Sequence, residues 1–177
     1  MSRSSVLKYP SIMYRVLVFV VVLAVVSADS DDDKKKCHRI GHPGTMRCCK
    51  SELQLPKRET AELKECFEIP PQPHSCEHDI CIGKKRGYAS DDGTVDKAAF
   101  EKTISEDFSS MPSLLEAVKD NCLTGDLDAF GPPDACELVK LKHCLDMQAI
   151  NDCKEWDDNG PCAGIKDLVK ECAKLMS

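Results

Sequence analysis

Twelve cysteines are the residues of this 177-residue chain with the most evident chemistry. All of them lie between Cys37 and Cys172. In an oxidising compartment thiols at this density pair into disulfides, whereas in the cytosol they more often bind metal or act as catalysts. The even number predicts six disulfides. Six bridges can be drawn in roughly ten thousand ways, and the spacing alone does not choose among them.

The N-terminus indicates which compartment applies. Three basic residues precede an unbroken apolar run over residues 16–26, which ends at Ser27 and Ala28. This is the pattern of a secretory signal peptide, predicted over residues 1–28 with cleavage after Ala28 or one or two residues away. An apolar run of about eleven residues is too short for a helix that spans a bilayer. We therefore expect a secreted, extracellular protein without membrane insertion.

The charge of the chain limits its partners. The formal net charge is −6 at pH 7, and loss of the leader would remove three basic residues and no acidic one. An acidic protein is a poor match for nucleic acid or for an anionic membrane surface, so a neutral or cationic partner is expected. Residues 29–36 carry opposed charges with no apolar residue, which predicts a disordered arm.

One segment raises the question of catalysis. His78-Asp79, with Cys81 two residues later, resembles the His-Asp-x-Cys segment of secreted phospholipases A2, in which the histidine activates water beside calcium. That site requires a glycine-rich loop before the histidine, but residues 69–75 contain prolines and no glycine. The chain also lacks the Gly-x-Ser-x-Gly elbow of many serine hydrolases. We predict no enzymatic activity.

The remaining candidate ligands give no metal site. None of the five histidines has the two-histidine spacing with a carboxylate that zinc enzymes use. Asp91-Asp92-Gly93 begins like a calcium loop, but the later acidic residues do not complete its spacing, so a turn is predicted. No metal and no cofactor are expected.

The elements that must position these residues are helices. Apolar residues recur every three or four positions, strand-like alternation is nearly absent, and proline and glycine separate the segments. The predicted helices cover residues 57–68, 75–83, 96–105, 110–124 and 133–150, and a last one begins near residue 159. Asp96 and Ser110 should stand at helix N-termini, Pro112 suits a first turn, and Gly83 should fray a helix end.

Each predicted helix has one apolar face. We expect Lys140 and Lys142 to point outward from the longest helix. The predicted inward residues are Leu63, Cys66, Phe67, Cys76, Ile80, Ala99, Phe100, Thr103 or Ile104, Leu114, Leu115, Val118, Cys122, Cys136, Val139, Cys144, Met147, Ile150, Ile165, Leu168, Val169, Cys172 and Leu175.

The cysteine spacing resembles that of a known family. Cys76 and Cys81 form a close pair, forty residues separate Cys81 from Cys122, and eight separate Cys144 from Cys153. Together with the loop and helix over residues 81–100, this pattern resembles the insect odorant-binding proteins, and the total of twelve cysteines resembles their Plus-C branch.

The resemblance implies a disulfide pairing. The six core cysteines would be Cys49 (or its neighbour Cys48), Cys76, Cys81, Cys122, Cys144 and Cys153, paired first with third, second with fifth and fourth with sixth. The implied bridges are Cys49–Cys81, Cys76–Cys144 and Cys122–Cys153. The partners of Cys37, Cys48, Cys66, Cys136, Cys162 and Cys172 stay open.

The resemblance also implies a fold and a function. Residues 37–177 would form a compact, disulfide-stapled all-α array of six or more helices around an apolar cavity, with an extra C-terminal helix. Such a protein carries odorants, pheromones or similar small hydrophobic molecules through extracellular fluid as a monomer or homodimer, with a membrane receptor as a downstream partner. By burial, the expected ligand-binding residues are Phe67, Ile80, Phe100, Leu114, Leu115, Val118, Val139 and Met147, and further aromatic candidates are Phe108, Phe130 and Trp156.

A second function fits the same sequence. A secreted inhibitor or other interaction protein, of the kind found in saliva or venom, could use exposed loops and negative charge to bind another protein without any small-molecule cargo. Displacement of a fluorescent probe by small apolar molecules would favour the carrier, whereas specific capture of a protein would favour this alternative.

Overall fold

The computed structural model describes residues 36–37, 40, 43–53, 61–70 and 75–176. The predicted signal peptide and all of the predicted arm except Lys36 lie outside these residues. The first half of the helix predicted over residues 57–68 also lies mostly outside them. The region from residue 37 onward forms one compact unit.

Seven α-helices build the described part of the chain, which contains no β-strand. They are α1 (Pro43–Met46), α2 (Lys64–Phe67), α3 (Glu77–Lys85), α4 (Lys97–Asp107), α5 (Pro112–Val118), α6 (Glu137–Asn151) and α7 (Ile165–Leu175). A π-helical turn, Lys119–Leu123, continues α5, and two 3₁₀-helices cover Leu127–Phe130 and Gly160–Cys162. The predicted all-α class is confirmed.

The longest helix, α6, forms the centre of the core. Its residues Leu141, Cys144, Met147 and Ile150 are buried, and helices α3, α5 and α7 pack around it. Other large buried side chains of the described residues are Phe100 and Ile104 of α4, Phe108 just after α4, Leu114 and Val118 of α5, Leu138 of α6, Val169 of α7, and Ile40 and Phe130.

The start of α4 follows the sequence prediction, and the start of α5 does so in part. The Asp96 carboxylate accepts hydrogen bonds from the backbone N–H groups of Ala98 and Ala99, each at 3.0 Å. These bonds satisfy donors that have no partner within the helix. Pro112 lies in the first turn of α5 as predicted. Ser110 does not cap this helix, because Met111 is the residue before it and no side-chain bond is made.

Gly83 does not fray a helix end, contrary to prediction, because α3 continues to Lys85. The chain then folds back so closely that the Gly83 carbonyl accepts bonds from the N–H groups of Tyr88 and Ala89, at 2.9 and 3.2 Å. A Cβ at position 83 would stand 2.7 Å from the Ala89 Cβ. Here glycine permits close packing of helix and returning loop.

Lys140 is buried, although it was predicted to point outward. Its side chain is only 8% exposed, and its ammonium group reaches the Asp128 carboxylate at 2.5 Å. The aliphatic stem lies under Gly131, where an added Cβ would come within 3.0 Å of it. A lysine can be buried in this way when its methylene groups pack and its charge finds a partner. Lys142 is half-buried and pairs with Asp146.

Several predicted inward positions are less buried than expected. Phe67 is 46% exposed and Leu175 is 43% exposed. Cys136 and Val139 are half-buried, because α6 turns Leu138 and Leu141 toward the core instead. The short helix α2 contributes only Cys66, which forms a small second cluster with Leu63, Cys81 and Ile82.

All twelve cysteines are paired, and the three implied bridges are wrong. The structure contains Cys37–Cys172, Cys48–Cys162, Cys49–Cys153, Cys66–Cys81, Cys76–Cys136 and Cys122–Cys144. Cys81 does not reach Cys49, because α2 packs on α3 and brings the Cα of Cys66 to 5.5 Å from that of Cys81. Likewise, Cys144 faces Cys122 on the turn after α5, with 5.7 Å between their Cα atoms. Cys153 therefore does not pair with Cys122 and is bonded to Cys49.

The bridges fall into two sets. Cys66–Cys81, Cys76–Cys136 and Cys122–Cys144, the inner crosslinks, join six consecutive cysteines first with third, second with fifth and fourth with sixth. The order of pairing that the resemblance implies is therefore present, on a different set of six cysteines. Cys37–Cys172, Cys48–Cys162 and Cys49–Cys153, the outer crosslinks, are nested one inside another and tie residues 37–49 to residues 153–172.

Candidate functional site

A groove of about 480 Å³ lies where three distant segments meet. One wall is residues 51–53, the second is the start of α5 with the residues before it, and the third is the end of α6 with residues 152–154. We call this space the groove. It is open to solvent, and its volume is within the range of about 300–1,000 Å³ that small-molecule sites occupy.

The first wall is held by the pairing of residues 48–51 with residues 153–157. The Lys50 N–H donates to the Glu155 carbonyl at 2.8 Å, and the Asp157 N–H donates to the Cys48 carbonyl at 2.8 Å. The Ser51 hydroxyl accepts the Lys154 N–H at 3.1 Å. With the bridges from Cys48 and Cys49, these bonds fix the wall against the end of α6.

The groove has two buried apolar residues at its floor, and half of the twelve residues that line it are polar or charged. Leu114 and Ala149 are buried beneath it, and Leu53 and Met111 are half-buried at its sides. The rim carries an ion pair between Lys154 and Asp152, at 2.6 Å. The remaining exposed rim residues are Glu52, Ser110, Pro112 and Ser113. An apolar body could lie on this floor while a polar end stays at the rim.

A second, much smaller space lies beside α4. One face of this helix meets the chain after α3 and the middle of α6, and leaves a void of about 50 Å³. We call it the aromatic pocket. Its lining residues are Ile82, Arg86, Tyr88, Phe100, Thr103, Ile104, Asp107, Phe108, Leu145 and Asp146. This volume holds a few water molecules and is too small for a ligand without expansion.

The structure distributes the predicted ligand-binding residues instead of gathering them. Phe100 lines the aromatic pocket, Leu114 lines the groove, and Ile80 borders an open, charged trough with Lys84 and Lys85. Val118 and Met147 are buried in the core, while Leu115 and Val139 are half-buried. Phe67 is exposed beside the ring of His78, with 6.0 Å between ring centroids.

The further aromatic candidates are also separated. Phe108 lines the aromatic pocket, and Phe130 is buried in the core at 1% exposure. Trp156 is half-buried next to the groove, where its indole N–H donates to the Cys153 carbonyl at 3.2 Å. Only Phe108 therefore shares a space with a predicted ligand-binding residue, Phe100.

Sequence reasoning missed most of the groove. Ser51, Met111, Ser113, Ala149 and Lys154 were not candidates, because no periodicity connects them. One signal could have found the first wall. Two adjacent half-cystines bond to different partners, so the segment that carries Cys48 and Cys49 had to be fixed against two other parts of the chain.

The residues considered for catalysis and metal binding have local roles. His78 lies beside Asp79, with Nδ1 and Oδ1 3.5 Å apart. Asp91-Asp92-Gly93 forms the predicted turn, with Gly93 at φ +83°. The Ser90 hydroxyl and the Thr94 N–H donate to Asp92 and lower its pKa to about 2. Within the described residues no three of His, Cys, Asp and Glu are grouped to hold a metal ion.

Comparison of the chain with models of protein families, with curated proteins and with solved structures finds no match. In the described part of the chain, no helix is both long enough and apolar enough to cross a bilayer.

Proposed function

We propose that this protein is a secreted carrier that binds small hydrophobic molecules in the groove. The groove is the observation on which the proposal rests, because it combines a ligand-sized volume with an apolar floor. The polar rim suits a molecule with one polar end, such as a long-chain alcohol, aldehyde or ester. The mechanism is sequestration, and no chemical step is involved.

The expected affinity follows from the area that a ligand can bury. Transfer of about 200 Å² of apolar ligand surface from water, at about 25 cal/mol per Å², contributes about 5 kcal/mol. This corresponds to a Kd of about 0.2 mM before hydrogen bonds at the rim are included. The freedom lost on binding must be subtracted from this contribution, and a rigid site keeps that cost small.

The crosslinks support a secreted carrier in three ways. The outer crosslinks hold the first wall in place, so the groove persists without a ligand to prop it open. The pairing order of the inner crosslinks is the one that the resemblance to insect odorant-binding proteins implies, and such proteins carry semiochemicals. Six disulfides and no free cysteine also favour an oxidising, extracellular environment.

The experiment is displacement of a fluorescent apolar probe, N-phenyl-1-naphthylamine, by 1-dodecanol. Two variants place the same large side chain on exposed serines. Ser113→Trp fills the groove, whereas Ser109→Trp lies outside its lining. We expect Ser113→Trp to weaken probe binding about tenfold, equivalent to ~1.4 kcal/mol, and Ser109→Trp to change it less than about twofold.

Two results would contradict the proposal. If the oxidised wild-type protein bound no apolar probe, the protein would not be a carrier, and a secreted interaction protein would become the leading function. If the probe bound but the two tryptophan variants behaved alike, the groove would not be the binding site.

A further inference from the structure

The aromatic pocket differs from the groove in the chemical nature of the side chains that line it. Ile82, Tyr88, Phe100, Ile104, Phe108 and Leu145 give it three aromatic and three aliphatic side chains. Tyr88 and Phe100 meet edge to face, with centroids 5.2 Å apart and rings at 72°. Rings in this arrangement offer both edges and faces to a further ring.

The polar side chains around this void are bonded within the protein. The Thr103 hydroxyl donates to the Ala99 carbonyl at 2.9 Å, and Asp146 accepts from Lys142 at 2.6 Å. Arg86 and Asp107 form an ion pair with each other. A water molecule needs two to four polar partners to be stable inside a protein. Six of the ten lining residues are aromatic or aliphatic, so an apolar occupant would contact most of the wall.

A neighbouring void gives the aromatic pocket a direction in which to expand. A second void of about 30 Å³ lies on the other side of Ile82, Tyr88 and Leu145, which line both spaces. Tyr88 and Leu145 are only half-buried. Rotation of these side chains would join the two voids into about 80 Å³. An apolar cavity that binds benzene measures about 150 Å³, so a ring would also have to displace Tyr88 and Leu145 toward solvent.

The ion pair between Arg86 and Asp107 forms part of the pocket lining. Arg86 follows the last residue of α3, and Asp107 is the last residue of α4, so the pair joins two helix ends. Both side chains are about one-fifth exposed, at 21% and 22%. Because each charge already contacts water, separating the pair costs less than breaking a fully buried one.

We propose that the aromatic pocket is a second binding site, for a ligand with a single aromatic ring, which enters between Arg86 and Asp107. Such a ring would lie between the side chains of Tyr88, Phe100 and Phe108. This site is independent of the groove and does not rest on the proposed carrier function.

The test is titration of the oxidised protein with toluene, followed by NMR of the aromatic ring protons. We expect saturable shifts of Tyr88, Phe100 and Phe108. Thr103→Met should fill the void and weaken toluene binding about tenfold or more. Thr103→Val is the matched control, since it has nearly the same shape and should change the affinity less than about twofold. Ser113→Trp, which fills the groove, should leave toluene binding unchanged.

Three results would overturn the second site. They are the absence of saturable shifts in the wild-type protein, equal effects of Thr103→Met and Thr103→Val, and loss of toluene binding in Ser113→Trp. The last result would assign toluene to the groove, and would leave the carrier proposal standing while the second site fails.

Discussion

The inner and outer crosslinks stabilise different parts of the molecule. The inner set bridges sequence separations of 15, 60 and 22 residues and lies among α2, α3, α5 and α6. The outer set spans 135, 114 and 104 residues and joins the two ends of the compact unit. Removing an inner bridge disturbs the packing of helices, whereas removing the outer bridge Cys49–Cys153 mainly releases a wall of the groove.

Because the outer bridges are nested one inside another, their long sequence separations do not make them contribute more to stability than the inner bridges. Once Cys48–Cys162 has formed, Cys49–Cys153 closes an additional loop of only about ten residues. The entropy lost by the unfolded chain depends on this effective loop and not on the full separation. The contribution of each set of crosslinks to stability and its contribution to the groove can therefore be tested separately.

Removal of Cys122–Cys144 should have the largest effect on stability. Both half-cystines are buried, at 2% and 0% exposure, between the turn after α5 and the centre of α6. We expect Cys122→Ala with Cys144→Ala to lower the free energy of unfolding by about 3–5 kcal/mol, through loop entropy and lost packing. Urea unfolding of the otherwise oxidised protein, monitored by circular dichroism, measures this change.

The matched outer variant is Cys49→Ser with Cys153→Ser. These residues are half-buried, so the loss of stability should be smaller, at about 2 kcal/mol. The same variant should weaken probe binding in the groove, while the inner variant, if folded, should retain it. Equal losses of stability with no difference in probe binding would abolish the distinction between the two sets.

The second contrast is between Gly83, near the inner crosslinks, and Gly44, near the outer crosslinks. Gly83→Ala would place a Cβ 2.7 Å from the Ala89 Cβ, so we expect a loss of about 1–2 kcal/mol even though alanine favours helix. Gly44→Ala in α1 meets nothing within 4 Å and should stabilise the protein by about 0.4–1 kcal/mol. Urea midpoints measure both changes, and a neutral Gly83→Ala would show that the inner region is looser than its contacts indicate.

The smallest expected effect is the pH dependence of stability that arises from two turns, each of which contains an aspartate with a lowered pKa. The pKa of Asp92 is lowered to about 2 by hydrogen bonds from Ser90 and Thr94, so its stabilising effect is complete above about pH 4 and is lost as the pH falls toward 2. Near the outer crosslinks, hydrogen bonds from Asn159 lower the pKa of Asp157. Asp92→Asn should reduce the fall in stability between pH 4 and 2, and Asp157→Asn should reduce it to a smaller extent, as measured by urea unfolding at each pH. An unchanged pH profile in both variants would contradict this origin.

Parts of the fold could be predicted because their causes are local. Asp96 and Pro112 mark helix starts through their own side chains, and the apolar spacing of α4 to α7 places most of the buried residues. Lys140 could not be predicted, because its burial depends on Asp128 and Gly131, which reach it only after the chain has folded. Gly83 was misread for the same reason, since its role depends on Ala89 packing against it.

The amino-acid sequence by itself determined the all-α class, the approximate positions of the central helices and the even number of cysteines that allows six disulfides. Tertiary structure decided which cysteines pair, where the groove lies and which predicted residues line it. Helix formation depends on neighbours three or four positions apart. A bridge or a groove depends on segments such as residues 48–53 and 149–154 meeting in space, and that meeting is set by the packing of the whole core.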